Sequence, residues 1–201
     1  MERRDMSGER GVVLLVALVT SIALAYASMA LLRAASTSSA VVANVHARRA
    51  AMLAASAALE ADVAALFRDH VVDPRADDPA HNYYASLQAG ADLRGVPAAL
   101  QSLANYPAEA AIIDVADACH VRHVIERLCV AAGDATSANC TLSPPSVAAA
   151  QGAPPAGEPP RQPSFRISVR VDAAAGATTF VQAIVSAAHP NPRLSWRVLD
   201  E

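Results

Sequence analysis

The chain has no lysine: all sixteen of its basic residues are arginine. With a formal net charge of -3 it has no electrostatic case for binding nucleic acid. Alanine is correspondingly abundant, so an alanine run alone is weak evidence for helix here. Motifs of catalysis are missing as well. No Gly-x-Ser-x-Gly elbow occurs, and no glycine-rich phosphate loop follows a strand pattern. The residues therefore point to a non-catalytic protein without a cofactor. There are three cysteines, Cys119, Cys129 and Cys140, an odd number that leaves at least one thiol over after any pairing.

Two further absences organise the N-terminal third. No charged residue occurs from Gly11 to Leu32, and no glycine or proline occurs from Val12 through Asp73. As a helix, Val12–Leu32 would be about 31 Å long, close to the hydrocarbon thickness of a bilayer. That exceeds the usual apolar core of an export signal, so length favours a retained anchor. Ala25-Tyr26-Ala27 would fit a signal-peptidase site, and cleavage after Ala27 would release a secreted soluble binding protein. Arg3, Arg4 and Arg10 precede the apolar run and favour a cytoplasmic N-terminus.

Past Leu32 the helical chemistry continues. Val42, Val45, Met52, Leu59, Val63 and Leu66 recur at helical steps, and Arg48, Arg49, Glu60, Asp62 and Arg68 interrupt them as an amphipathic helix requires. The expectation is one helix from Val12 to His70, about 88 Å long. Its first half is apolar all round, and its second half carries one apolar stripe.

From Asp73 to Tyr106 the breakers cluster. "VDPRADDPAHN" reads as a loop, "PAALQSLAN" as a short helix with Pro97 at its first position, and "YYASLQ" is ambiguous. "AAIIDVADACHVRHVIERLCV" is rich in β-branched residues and predicts strands near 111–116 and 119–130. The 143–163 stretch holds most of the chain's thirteen prolines and reads as a surface loop. "SFRISVRVD" alternates, with Phe165, Ile167, Val169 and Val171 on one face. "TTFVQAIVS" returns after a turn at Gly176, which predicts an antiparallel hairpin with one solvated side.

Cys119, His120, His123 and Cys129 offer metal-ligand types within a short span. On a strand, however, His120 and His123 face opposite ways. Pairing Cys119 with Cys129 along one strand would require bridging about 33 Å against a limit of about 7 Å. Cys129 and Cys140 enclose the turn-prone "VAAGDATSAN", and a bond there would contribute roughly 3 kcal/mol. Cys119–Cys140 stays open as the other pairing.

A short charged leader ending in glycine, an immediate apolar stretch and a continuous amphipathic helix together resemble a type IV prepilin. "RGVVLLVALV" is similar to the N-terminus of PilX-like minor pilins. "HVIERLC" and "FRISVRVD…TTFVQAIVS" resemble their C-terminal strands.

The resemblance implies an α+β fold, with a long N-terminal helical spine and an antiparallel sheet packed on its C-terminal half. Residues 1–11 would be the leader, 12–33 the transmembrane and assembly helix, 34–70 its continuation and 71–201 a periplasmic region. It implies cleavage by the prepilin peptidase at Gly11-Val12 and N-methylation of Val12. The protein would wait in the inner membrane and then act at the pilus surface. Other minor pilins, the major pilin and a pilus-tip adhesin are the implied partners. Most pilins carry glutamate at the fifth mature position, whereas here it is Val16, which points to a tip or initiation subunit rather than a shaft subunit. A type II secretion pseudopilin near the tip would share the same spine.

Overall fold

The computed structural model describes residues 7–68, 73–108, 110, 112–115, 119–143, 162–173, 176–186 and 193–199. The proline-rich segment at 144–161 and the expected helix end at His70 lie outside these. The chain divides into two units, Met1–His46 and Ala47–Glu201.

The first element, α1, is a single helix over Ser7–Phe67. Its continuity follows from the missing glycine and proline between Val12 and Asp73 together with many strong helix formers. Within the first unit every described side chain is exposed, including Val12, Leu14, Leu18, Leu24 and Leu31. One helix is thus long and apolar enough to cross a membrane.

The second unit is α+β. A six-stranded sheet runs in the order β1 (Tyr83–Tyr84), β3 (Cys119–Arg127), β6 (Phe165–Ala173), β7 (Thr178–Val185), β8 (Arg193–Val198). Strand β2 (Ile113–Val115) pairs antiparallel with the start of β3. β1 joins β3 in parallel, and the other pairings are antiparallel. A separate small ladder joins β4 (Leu142–Ser143) and β5 (Gln162–Pro163). The β6–β7 hairpin has the expected register, with Val169 opposite Val181, and Gly176 turns the chain at φ 80°.

One sheet face buries Val121 and Ile125 of β3, Phe165, Ile167, Val169 and Val171 of β6, and Val181, Ala183 and Val185 of β7. The α1 segment from Ala51 to Leu66 packs into this same core. Its buried stripe differs from the expected one. Val42 and Val45 are exposed, and burial begins at Ala51, continuing through Ala54, Ala55, Ala58, Leu59, Val63 and Leu66. Four of these seven residues are alanine because small side chains let the helix backbone approach a sheet face already filled by branched residues. Asp62, expected on the polar side, lies on this buried face at 5% exposure.

The opposite sheet face is not the open, solvated surface the alternation suggested. The segment from Tyr84 to Tyr106 covers part of it. Val96 and Leu100 bury against Val124 and Leu199, with Tyr84, Tyr106 and Phe180 packed around them. Here α2 (Ala98–Gln101) is one short turn of helix, with Pro97 at its cap rather than its first position. Asp92 builds the turn that aims it. Its Oδ1 accepts from the Arg94 and Val96 backbone N–H groups, each at 2.9 Å. The bond from Val96, ahead of the Arg94 contacts, holds the Asp92 carboxyl below its usual range. Gly95 follows with φ 89°, and a Cβ there would meet Arg197 Nη2 at 3.1 Å, so the turn needs glycine.

Candidate assembly surface and polar core

The apolar part of α1 presents side chains on all sides and leaves its polar groups satisfied. Thr20 Oγ1 donates to the Val16 and Ala17 carbonyls, both at 3.0 Å. Ser21 Oγ donates to Ala17 O at 2.8 Å and Ser28 Oγ to Leu24 O at 2.9 Å. Ser36, Thr37 and Ser39 do the same one to two turns after Arg33. Hydroxyls bonded back onto their own helix suit a surface that meets lipid or another apolar helix, because neither supplies an acceptor. Gly11 and Val12 both lie inside α1, so the bond between them is helical, and Val12 is exposed. Val16 is likewise exposed, at 52%.

The cysteine-bounded loop is held from several directions. A disulfide joins Cys129 to Cys140, and Cys119 is a buried free thiol on β3. Inside the loop, Val130 N–H donates to Asn139 O at 2.8 Å, and Thr136 N–H to Asn139 Oδ1 at 2.8 Å. The chief anchor is Arg127 at the end of β3, only 1% exposed. Its Nε donates to Ala85 O at 2.9 Å and its Nη2 to Gly133 O at 2.7 Å. Gly133 N–H in turn donates to Arg75 O, and Arg75 pairs with Asp134 at 2.8 Å. One buried guanidinium thus ties the loop to the chain leaving β1. Its place in "HVIERLC", next to Glu126, reads in sequence as an ordinary charged pair and does not announce this.

His120 and His123 do point to opposite faces of β3: His120 is exposed and His123 buried. The four residues considered for a metal are not brought together. Cys129 is in the disulfide, and no cluster of three metal-ligating side chains occurs among the described residues.

What His123 meets instead is Asp62 of α1, with Nε2 3.4 Å from Asp62 Oδ1. Asn82 and Tyr106 complete this polar island, Asn82 Nδ2 donating to Tyr106 Oη at 2.7 Å and Tyr106 Oη to His123 O at 3.3 Å. Asp62 Oδ2 and His123 Nδ1 have no hydrogen-bond partner among the described residues. Burial pushes the Asp62 carboxyl up to about 8 and the His123 imidazole down to about 4. Burial thus favours the neutral form of each group, and at 3.4 Å the contact is longer than the paired Arg166–Glu126 bridge at 2.7 Å. The sequence holds one usable signal for it: Asp62 falls three residues after Leu59 and four before Leu66, inside the stripe rather than opposite it.

A second buried carboxylate is fully paired. Glu126, at 0% exposure, accepts from Arg166 Nη2 at 2.7 Å and from Gln88 N–H at 2.9 Å.

No protein-family model, curated protein or solved structure matches this chain. The structure has a long apolar N-terminal helix followed by a sheet and a disulfide, an architecture consistent with a pilin fold.

Proposed function

We propose that the chain is a minor subunit of a type IV pilus, of the PilX-like kind, acting in initiation or at the tip. The supporting observation is the helix α1. It continues without a break from an exposed, uncharged and mostly apolar stretch into a stripe that packs in the core of an α+β domain. An ordinary anchor needs only the apolar stretch. A subunit that leaves the membrane to pack its helix among others needs a helix that continues from that stretch into its domain.

In this reading the peptidase cuts after Gly11. A glycine within a helix weakens it by about 1 kcal/mol relative to alanine, which eases the local unwinding that presents the bond. The new amino group at Val12 then has no glutamate at the fifth position to answer it. One unpaired charge per copy in an apolar filament core costs several kcal/mol, which an end position tolerates and a repeating one does not. N-terminal sequencing of the mature protein tests the reading. A start at Val12 is expected, and a start at Ser28 overturns it.

A further inference from the structure

A cavity of about 750 Å³ opens beside the β6–β7 turn, walled in part by Arg48, Arg94, Gln101, Arg170, Thr178 and Phe180. Its described wall contains three guanidiniums and no carboxylate. The acids nearest to it are already engaged. Asp172 accepts from Arg122 Nη1 at 2.8 Å, Arg170 Nε at 2.9 Å and Thr178 Oγ1 at 2.9 Å. Asp92 is engaged in its turn and by Arg94 Nε at 3.0 Å. Three arginines, Arg94, Arg122 and Arg170, thus share the two carboxylates of Asp92 and Asp172.

The geometry of Arg170 separates this from an ordinary solvated basic patch. Its side chain is 13% exposed, its Nε is fixed on Asp172, and its Nη1 donates to Leu100 O at 2.9 Å. Its remaining nitrogen, Nη2, has no acceptor among the described residues. Arg94 uses only Nε, so both of its terminal nitrogens are likewise unengaged. The two guanidiniums lie over the same ring, 5.4 Å and 5.7 Å from the Phe180 centroid. Stacking and the buried bonds hold both planes in place before any ligand arrives, which lowers the ordering cost of binding.

We infer that this cavity is an oxyanion-binding site in which Arg94 and Arg170 together take a carboxylate or phosphate. Fixed, planar donor forks suit those groups, which accept two parallel hydrogen bonds. Gln101 and Thr178 complete the wall without competing for the ligand, since the Gln101 amide donates to Gly90 O and Val96 O, each at 2.8 Å, and the Thr178 hydroxyl donates to Asp172. The oxyanion has two possible sources: a diffusible molecule, or the acidic pair Asp200-Glu201, which follows Leu199 on the cavity wall. The inference is independent of the pilus assignment.

The test uses the full chain in detergent micelles, labelled with [15N]arginine. Sodium glucuronate and inorganic phosphate are titrated separately at constant ionic strength, so that general screening stays fixed. The expected result is a saturable shift confined to the Nε–Hε signals of Arg94 and Arg170, weakened about tenfold in Arg94→Gln. That substitution removes a partly exposed guanidinium and leaves the backbone bonds of the Asp92 turn in place. An Asp200→Asn/Glu201→Gln variant separates the sources. Affinity raised severalfold in that variant assigns the site to the chain's own tail, and unchanged affinity assigns it to a diffusible ligand. Absence of a saturable shift with either probe in both proteins, up to roughly 50 mM, overturns the inference. So does an equal shift across all the arginines.

Discussion

Replacing Asp62 by asparagine should stabilise this protein, and increasingly so as pH rises. The folded state holds the Asp62 proton up to about pH 8, whereas the unfolded chain releases it near 3.8. Between those values the unfolded state binds fewer protons at this site, so stability falls with rising pH by up to about 1.4 kcal/mol per pH unit. By pH 7 the accumulated cost is on the order of 4 kcal/mol. His123 acts in the opposite direction. Its folded value is near 4 against 6.5 unfolded, so its contribution is lost as pH falls through that range. In the parent protein the two slopes nearly cancel between pH 4 and 6.5, and only that of Asp62 remains above. Asparagine keeps the shape, has no proton to lose, and can donate through Nδ2 to His123 Nε2. Urea unfolding of the full chain in micelles, followed through its single tryptophan, Trp196, reads both proteins from pH 4.5 to 8. The stability difference should be small at the acid end and reach several kcal/mol at pH 8. If Asp62→Asn is less stable than the parent at pH 7.5, Asp62 is ionised and paired with a charged His123, and the neutral-pair description fails.

Arg127→Leu should cost about 3–5 kcal/mol, because the Ala85 and Gly133 carbonyls lose a buried donor; hydrogen exchange should rise across residues 130–140 and at the chain leaving β1. Replacing both Cys129 and Cys140 with serine should cost roughly 3 kcal/mol in thermal unfolding, and Cys119 should react with maleimide only after denaturation, since it is buried on β3. Gly11→Val should leave full-length protein in the inner membrane, seen as an unchanged intact mass; normal maturation of this variant would contradict the prepilin assignment. Gold labelling of a tagged copy should mark pilus ends, and even labelling along the shaft at levels rivalling the major subunit would contradict the argument from Val16.

The β6–β7 hairpin was legible because polarity alternates along β6 and the turn at Gly176 leads into a second strand-forming run of similar length. The Cys129–Cys140 pair was suggested by local spacing alone, since a short polar turn brings the two sulfurs together. In the segment from Asp73 to Tyr106 the short helix at Ala98–Gln101 was legible, but the path that lays it over the sheet was not. Its shape comes from side chains bonding distant or bent backbone, as when Asp77 Oδ1 accepts from Ala85 N–H at 2.7 Å. Its apolar anchors, Val96 and Leu100, follow no period of their own. The helix stripe was partly misread because alanine was discounted, although tight approach of helix to sheet is what selects alanine. The island of Asp62, Asn82, Tyr106 and His123 joins four separate segments. No window of sequence contains it, and a carboxylate on a helix reads as solvent-facing by default.

The pairing of β3 with β6 sets an order of events in folding. Ile125 lies opposite Ile167 and Val121 opposite Val171, with the whole proline-rich stretch between them in the chain. As synthesis proceeds, α1 and β3 are complete while the central strand that joins them in one core is still absent. The β2–β3 pairing and the Cys129–Cys140 turn are local enough to close early. Until Phe165–Val185 arrives, the Leu59–Leu66 face of α1 and the Val121–Ile125 face of β3 are both uncovered, which makes that interval the one in which the chain is most exposed to aggregation and to proteases.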